Sequence, residues 1–407
     1  MKVLVLDEAL PVPADSGKRI RTFELLRRLA QRHAITFLAP EERPTPPEEV
    51  ARLAEHGIEV RLVRRRPLVK RGARFAWDLL RNVFLPVPYM VMGHRVRAVR
   101  DEAAALLSRR SYDLIHVEWT PLVVNVPEGA RVPVLVCAHN VESDIWARYL
   151  VSEAGLARRA YVRLQLGKVR RFERAALAAA DAVTAVSEGD AERIRAWAGQ
   201  PRVSVVPNGV DAERFAPQPD AVVSPHEAVF VGSLDWRPNQ DGVLWFLDEV
   251  FPALRARVPD ATLAVVGRAP PPWFVERVTK VAGASVHGSV TDVRPFLARA
   301  AVSVVPLRVG GGSRLKICES LAMERPVVST SVGAEGLDRG AGIVLADEPQ
   351  AFVEAIVATL DDPTAARAAA REGRARVLAT NEWGAIAPNL ERAWVDAARS
   401  RRTGRPS

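Results

Sequence analysis

Short apolar runs alternate with longer segments of helical spacing along the whole chain. Val3–Leu6 is the first run, and Ile20–Ala30 after it has the apolar spacing of an amphipathic helix. Further runs of the first half are Ala34–Leu38, Leu114–Val117, Val134–Cys137, Ala182–Val186 and Val203–Val206. Runs without polar alternation are typical of strands buried on both faces, so the pattern predicts an α/β fold with a mainly parallel, doubly wound sheet.

The pattern stops in a proline-rich, aperiodic segment at 215–227 and then starts again. Runs of the second half are Ala228–Val231, Thr262–Val266, Ser285–His287, Val302–Val305, Pro326–Ser329 and Gly342–Leu345, with a helical segment at Gly242–Arg257. We therefore predict a Rossmann-like domain at 1–214, a linker at 215–227, a second such domain at 228–380, and a helix at 381–400 that packs back on the first domain. Ligands of such sheets bind beyond the carboxyl ends of the strands, so we expect the active site in a cleft where the two sheets face each other.

Composition agrees with two ordinary globular domains, since 48% of the 407 residues are hydrophobic and 26% are charged. The first apolar run is too short for a signal-peptide core, and no run reaches the roughly 18 residues of a membrane span. The cysteines, Cys137 and Cys318, have neither disulfide nor zinc-ligand spacing. We expect a cytoplasmic protein, or one peripheral to the inner face of the cytoplasmic membrane.

Net charge is +9, and the basic residues cluster in the first half. The clusters are Arg61, Arg64, Arg65, Arg66, Lys70, Arg71 and Arg74, and then Lys168, Arg170, Arg171 and Arg174. A basic face of this kind binds an anionic membrane surface or is simply solvated. No nucleic-acid-binding motif accompanies the charge, so a nucleic-acid partner is not expected.

The most informative loop follows the run that ends at Val305. Gly310, Gly311 and Gly312 precede a predicted helix that begins near Ser313. Unpaired N–H groups at a helix N-terminus bind anions, and glycines allow a phosphate to come close. Arg314 and Lys316 add full positive charge, and Glu319 lies where it can reach sugar or ribose hydroxyls. The sequence predicts a diphosphate site here, and it is not a P-loop because the Gly-Lys-Ser/Thr ending is absent.

Two other loops end predicted strands and are candidates for donor contacts. After Val231, Ser233 and Arg237 can meet phosphate oxygens, and Asn239 is a further candidate for donor binding. Asn239 or Asp241 can also cap the next helix. After the first strand, Ser16 and Gly17 offer close backbone approach to a ligand. Each loop can also be an ordinary turn before a helix.

Two histidines end predicted strands. His139 follows Val134–Cys137, with Asn140 and Glu142 as further polar candidates, and His287 ends a run whose backbone can bond a nucleobase edge. A structural role is the leading alternative for His287. No Asp-x-Asp is present, so the charge of a diphosphate must be met by Arg, Lys and helix termini, and no metal or other cofactor is expected.

The chain resembles the family 4 glycosyltransferases over most of its length. The resemblance rests on the order and spacing of short motifs: Val203–Asp211 with Phe215, Val231–Asp235, Val265–Gly267, Val286–Val290, Val302–Pro306 and Glu319–Val328. Trp236–Asn239 and Val243–Phe246 look like a subgroup that transfers sugars to exopolysaccharides. The resemblance implies a GT-B fold, retention of anomeric configuration, ribose binding by Glu319, a cleft role for His139, and diphosphate binding by Arg314 and Lys316.

Three positions depart from the family pattern. Gly311 stands where the family has its first motif glutamate, Ser233 replaces the usual arginine, and Asp241 replaces the usual lysine. Phosphate contacts are therefore expected from Arg237, Arg314 and Lys316.

We predict a metal-independent, retaining transfer of a sugar from a nucleotide diphosphate. The expected acceptor is a glycan or a lipid-linked saccharide in polysaccharide biosynthesis. The alternatives are a sugar-nucleotide epimerase of the same fold and a non-catalytic nucleotide-sugar-binding protein, which Gly311 would favour.

Overall fold

A computed structural model describes residues 1–67, 72–153, 155–309, 315–337, 340 and 342–402. It divides into two compact units. Unit 1 comprises Met1–Pro207 and Ile386–Ser407, and unit 2 comprises Asn208–Ala385. Among the described helices, none is both long and apolar enough to cross a bilayer.

Unit 1 is built on a seven-stranded parallel sheet. Its strands are β1 (Lys2–Leu6), β2 (Ala34–Glu41), β3 (Ile58–Arg64), β4 (Leu114–Val117), β5 (Val134–Ala138), β6 (Ala182–Ala185) and β7 (Val203–Val205). Their order in the sheet is β3-β2-β1-β4-β5-β6-β7. The prediction of buried parallel strands is confirmed, and β3 is an additional edge strand.

Helices connect these strands. They are α1 (Gly17–Leu29), α2 (Pro47–Ala54), α3 (Gly72–Val83), α4 (Tyr89–Met92), α5 (Arg97–Arg109), α6 (Glu142–Ser152), α7 (Leu156–Ala179) and α8 (Glu188–Ala198), with a 3-10 turn at Thr120–Asn125. The core includes Leu4, Leu38, Ile115, Val136 and Leu177, which join strands to the covering helices.

From β1 the chain adds β2 and β3 on one side of the sheet and then β4 to β7 on the other side. The strand order therefore switches between β1 and β4, which creates a crevice at the carboxyl ends of these two strands. Leu6 pairs with Val117 at that edge. The next residues are polar, and Glu118 N–H donates to the Leu6 carbonyl at 2.9 Å. Asp7 N–H donates to the Leu38 carbonyl at 3.1 Å. The topology therefore gathers acidic side chains at one end of the sheet.

Unit 2 has a six-stranded parallel sheet of the same type. Its strands are β8 (Ser224–Val231), β9 (Thr262–Gly267), β10 (Ala284–Gly288), β11 (Ala300–Val305), β12 (Val327–Ser329) and β13 (Ile343–Leu345). Their order is β10-β9-β8-β11-β12-β13, so the crevice lies between β8 and β11. Strand β8 begins at Ser224, inside the segment predicted as a linker, and unit 2 already begins at Asn208.

The helices of unit 2 are α9 (Arg237–Trp245), α10 (Phe251–Arg257), α11 (Pro272–Thr279), α12 (Arg294–Arg299), α13 (Leu315–Ala322), α14 (Pro349–Asp361) and α15 (Pro363–Asn381). A π-helical turn, Phe246–Val250, joins α9 to α10. Helix α9 starts two residues before Asn239, so neither Asn239 nor Asp241 is its N-cap, which is Trp236.

The last helix, α16 (Trp383–Arg402), starts in unit 2 and belongs to unit 1 from Ile386 onward. Trp394 of this helix is fully buried in unit 1. Glu391 binds Arg32 and His33, both at 2.8 Å. The buried Trp394 side chain, the ion pair with Arg32 and the hydrogen bond with His33 thus fix α16 to the start of the chain.

Candidate active site

In unit 2, a positively charged side chain from helix α13 lies at the carboxyl end of β8. Lys316, in the first turn of α13, donates from Nζ to Asn239 Oδ1 at 2.8 Å. The ammonium group also lies 4.5 Å from the centre of the Phe230 ring. Asn239 is buried, and its Nδ2 donates to the Ser233 carbonyl at 2.8 Å. Asn239 therefore joins the loop after β8 to Lys316 and fixes the position of the charge.

Two glycines make this arrangement sterically feasible. A Cβ on Gly232 would lie 2.8 Å from Asn239 Nδ2 and 3.1 Å from Lys316 Nζ. A Cβ on Gly267 would lie 1.7 Å from the Gly232 carbonyl oxygen. Because a real Cβ cannot approach backbone so closely, the end of β9 requires glycine at position 267. A side chain at position 232 would instead displace Asn239 and Lys316 from the arrangement described above.

Glu319 lies one helical turn after Lys316 and is buried. Burial raises the pKa of Glu319 to about 7, although the charges of Arg214 and Lys316 oppose the shift. Within the part of the chain that the structure describes, no group donates a hydrogen bond to the Glu319 carboxylate. Since buried carboxylates are normally satisfied, this group is suited to accept hydrogen bonds from a ligand.

Arg268 is a site candidate that the sequence interpretation missed. It follows β9, and its Nε lies 3.5 Å from Ser233 Oγ, while its NH2 contacts Asp235 Oδ2 at 3.3 Å. The guanidinium therefore stands beside the position where the family arginine is replaced by serine. Only the pairing of β8 with β9 brings Arg268 there, so spacing along the chain gives no signal of it.

Asp241 has a different environment from a phosphate-binding lysine. Its carboxylate accepts two hydrogen bonds from Arg308, at 3.2 and 2.9 Å. The Arg308 guanidinium also lies 5.9 Å from the Trp245 ring centre. The negative charge at position 241 is thus paired within unit 2.

The remaining candidates of unit 2 fall into two groups. Arg237 begins α9, and His287 lies in β10 with its Nε2 3.1 Å from Ser285 Oγ and its ring 4.7 Å from that of Phe296. Gly310, Gly311, Gly312, Ser313 and Arg314 lie outside the described residues. Diphosphate binding by that loop stays a prediction from the sequence.

The crevice of unit 1 contains a compact ionic cluster. Lys18 of α1 binds Asp7 at 2.6 Å and Glu8 at 2.8 Å. Burial alone would raise the pKa of Glu8, but Lys18 and His94 outweigh it and bring it to about 2. Ser16 and Gly17 begin the same helix, and the Ser16 hydroxyl makes no capping hydrogen bond.

Glu118, directly after β4, is the centre of a buried hydrogen-bond network. Its Oε1 accepts from Thr22 at 2.7 Å, and its Oε2 bonds to His116 Nε2. Trp394 Nε1, which can only donate, bonds to His116 Nδ1 at 2.8 Å. The proton of neutral His116 therefore sits on Nε2, where it is donated to Glu118. Burial would raise the pKa of Glu118, yet the hydrogen bond from His116 and the nearby Arg21 guanidinium outweigh burial and lower the pKa overall.

His139 follows β5 and is held against the same residue. Its Nε2 bonds to the Glu118 backbone carbonyl at 2.6 Å, which fixes Nε2 as the protonated nitrogen and leaves Nδ1 as an acceptor. Burial lowers the pKa of His139 despite the nearby Glu118 carboxylate. The structure therefore presents a neutral, oriented imidazole at the end of the sheet.

Glu118, Cys137 and His139 lie close enough to suggest a metal site, since their ligand atoms are within 4.8 Å of one another. Both Glu118 oxygens and His139 Nε2 are, however, already engaged in the hydrogen bonds described above. Burial also raises the pKa of Cys137, which favours the thiol over the metal-binding thiolate. The cluster is better explained as a network that orients His139.

Glu142 completes the polar end of unit 1. It is buried at the start of α6, and its Oε1 accepts from Trp119 Nε1 at 2.8 Å. Burial raises the pKa of Glu142 to about 7, helped by the charge of Glu173. Glu173 accepts from the N–H groups of Glu142 and Ser143, at 2.6 and 3.0 Å, and so caps α6. Glu142 is thus a carboxyl group that changes protonation near neutral pH beside His139.

Two family models match the chain. Residues 16–214 match the model described as "Glycosyltransferase Family 4", and residues 225–362 match "Glycosyl transferases group 1". Together they span most of both units.

Curated relatives agree with these models. The chain is 29% identical, over 70% of its length and 83% of the relative's, to a GDP-mannose-dependent α-(1-6)-phosphatidylinositol monomannoside mannosyltransferase of Mycolicibacterium smegmatis. It is 31% identical, over 42% of its length and 55% of the relative's, to the lipopolysaccharide core mannosyltransferase LpsB of Rhizobium meliloti.

Solved structures of low sequence identity share the fold. HepE of Anabaena, solved with UDP and glucose, is 16% identical with a TM-score of 0.66, covering 97% of this chain and 99% of that one. WaaG, a glycosyltransferase of lipopolysaccharide biosynthesis, is 15% identical with a TM-score of 0.62 over 97% and 99%. Taken with the family models and the two parallel sheets, these likenesses show that the chain belongs to the family 4 glycosyltransferases and has the GT-B fold.

Proposed function

We propose that this glycosyltransferase transfers a sugar from a nucleotide diphosphate to a saccharide or lipid-linked acceptor, with retention of configuration and without a metal ion. The observation that carries the proposal is the pair formed by Lys316 and Glu319 in unit 2. A fixed ammonium group stands one helical turn from a buried carboxylate that lacks a donor among the described residues. Such a pair fits the phosphate and the ribose of one nucleotide.

The chemistry follows from these charges. As the bond between the anomeric carbon and the phosphate oxygen breaks, negative charge grows on the departing diphosphate, where Lys316 and Arg268 stabilise it. The acceptor hydroxyl forms the new glycosidic bond on the same face, and its proton passes to the departing phosphate. Cationic side chains thereby supply the stabilisation that a metal ion supplies in other transferases. Gly310–Arg314 would add backbone donors and an arginine.

The polar cluster of unit 1 is proposed to bind the acceptor. His139 offers Nδ1 as an acceptor of hydroxyl hydrogen bonds, and Glu142 lies beside it. The Mycolicibacterium smegmatis relative is named for action on a mannosylated phosphatidylinositol, which favours a lipid-linked saccharide here. We accordingly propose a cytoplasmic enzyme that works at the membrane surface.

The test of this function is thermal unfolding with UDP-glucose and with GDP-mannose, each with and without EDTA. A true donor is expected to raise Tm, because binding at about 100 times Kd stabilises the native state by about 2.7 kcal/mol. The rise should be the same in EDTA, and the anomeric configuration of the product, read by NMR, should match that of the donor. A shift abolished by EDTA, or an inverted product, would contradict the metal-free retaining mechanism. Binding without any turnover would favour the non-catalytic alternative.

The raised pKa of Glu319 predicts a pH dependence of donor affinity. The Glu319 carboxylate accepts hydrogen bonds from ribose hydroxyls best when it is ionised. Its ionised fraction falls as the pH drops through the pKa of about 7. We expect the Kd of the nucleotide sugar to rise roughly tenfold from about pH 8 to pH 6, because only the ionised fraction binds well. Isothermal titration calorimetry measures this, and a nucleotide sugar is the proper probe because its esterified phosphates do not titrate in this range.

The control is Glu319→Gln, which keeps the shape and removes the titration. Its affinity should be low and nearly constant with pH. An unchanged pH profile in this variant would show that another group, such as Glu142, is responsible.

A further inference from the structure

Helix α3 presents large apolar side chains to solvent. Trp77 and Leu80 are 64% and 55% exposed, and Phe84, the residue directly after α3, is 83% exposed and continues the same helical spacing. The opposite side of the helix faces the protein through Phe75 and Asn82. Exposed apolar residues at this density on one helix mark an interaction surface.

Specific hydrogen bonds hold α3 on the middle of α7, so its outward stripe is fixed. Lys168 Nζ bonds to the Asn82 carbonyl and, at 3.2 Å, to the Val83 carbonyl. Gln165 Nε2 donates to Asn82 Oδ1 at 2.7 Å, and Gln165 Oε1 accepts from Tyr89 N–H at 2.9 Å. The buried Lys168 and Gln165 therefore serve the packing of α3 and are not available to a partner.

Helix α7 adds positive charge and further apolar groups. Leu156 and Leu164 are exposed, at 86% and 37%. Exposed arginines of α7 are Arg158, Arg159, Arg163, Arg170, Arg171 and Arg174. The guanidinium groups of these six arginines form no hydrogen bond or ion pair with another residue that the structure describes. The one carboxylate of α7, Glu173, is buried under α6. Helix α7 therefore carries a net positive charge that no ion pair among the described residues neutralises.

We propose that these two helices dock the enzyme on an anionic lipid bilayer. The α3–α7 patch consists of Trp77, Leu80, Phe84, Leu156 and Leu164 together with Arg81, Arg158, Arg159 and Arg163. Apolar side chains enter the boundary between headgroups and acyl chains, where Trp is especially stable, and arginines meet lipid phosphates. An anionic membrane complements both the charge and the apolar area. The inference rests on the proposed lipid-linked acceptor and adds the surface by which the enzyme reaches it.

Co-sedimentation with vesicles tests the α3–α7 patch. The full-length protein is expected to bind vesicles of equal parts phosphatidylglycerol and phosphatidylcholine, and to bind phosphatidylcholine alone at least roughly tenfold less. The variant Trp77→Ser/Leu80→Ser/Phe84→Ser should bind the anionic vesicles at least roughly tenfold less than wild type. The variant Arg158→Ser/Arg159→Ser/Arg163→Ser should lose a similar fraction of its binding to the anionic vesicles. Binding of the wild-type protein should fall as the salt concentration is raised.

A matched control uses the exposed apolar residues of unit 2, Val222, Trp273 and Val344, all changed to serine. This variant should bind vesicles like wild type. The proposal would be overturned if the control variant lost as much vesicle binding as the α3 variant, or if the α3 variant bound vesicles like wild type. It would also be overturned if the wild-type protein bound anionic and neutral vesicles equally. Self-association that the α3 variant abolishes, without vesicle binding, would assign the surface to a protein contact instead.

Donor binding separates this proposal from the proposed function. The α3 and α7 variants should keep the thermal shift of wild type with UDP-glucose or GDP-mannose, because the substituted residues lie outside the nucleotide site. Vesicle binding without any nucleotide shift in wild type would leave the docking surface standing and remove the donor assignment.

Discussion

Lys316→Ala is expected to lower kcat by roughly 10²–10³ while the protein stays folded, as the loss of one preorganised donor to a transition-state charge does. The ammonium group is held by Asn239 and lies over the Phe230 ring, so the wild-type protein presents this charge in one fixed position. The measurement is release of nucleoside diphosphate at saturating donor and acceptor. Unfolding midpoints are compared in parallel to show that the fold is kept.

Lys280→Ala is the matched control, since Lys280 is also in unit 2 but its side chain is 67% exposed and, among the described residues, forms an ion pair with Glu276 alone. Its kcat should equal that of wild type. Turnover of Lys316→Ala within a factor of about three of wild type would remove Lys316 from the diphosphate site, because such a factor is far below the roughly 10²–10³ loss that is typical of removing one preorganised donor.

Trp394→Ala is expected to destabilise unit 1 by about 3–5 kcal/mol, the usual cost of removing a large buried aromatic side chain. Trp394 is fully buried, contacts the rings of His33 and His116 edge to face, and donates the hydrogen bond that fixes the His116 tautomer. Its loss also leaves His116 Nδ1 unpaired, at a further cost of about 1–3 kcal/mol. Chemical unfolding followed by circular dichroism measures the shift.

Trp394→Phe separates the two contributions, because it keeps most of the volume and removes only the donor. It should cost about 1–3 kcal/mol. Trp273→Ala, at a half-exposed site in unit 2, should change stability by no more than about 0.5 kcal/mol. If Trp394→Ala unfolded at the wild-type midpoint, α16 would not be an integral part of unit 1.

The order of strands and helices could be predicted from the sequence because twelve of the strands are apolar runs with few polar residues. Strand β3 was missed because Ile58–Arg64 alternates apolar residues with glutamate and arginine, and its arginines were interpreted only as surface charge. As an edge strand with partly exposed residues, it lacks the continuous apolar run of the buried strands.

The sequence could single out candidate residues that adjoin a strand end or lie on the helix after one. His139, Lys316 and Glu319 belong to this group, and their functional roles stay predictions. The sequence could not single out Arg268, or the hydrogen bonds that link Trp394 through His116 to Glu118. Most of these contacts join residues that are far apart in the chain. Asn239 was predicted as a donor contact, and the structure also shows it holding Lys316.

The passage of α16 into unit 1 has a consequence for how the protein is made. Residues 386–402 complete unit 1, and all of unit 2 is translated before them. At about 5–20 residues per second, the first 207 residues wait on the order of ten seconds or more on the ribosome without Trp394. During that interval His33 and His116 lack their buried partner, and the α1 end of unit 1 exposes the surface that α16 later covers. Unit 2 is contiguous in sequence and can reach its final fold first, so the order of folding is expected to be opposite to the order of synthesis.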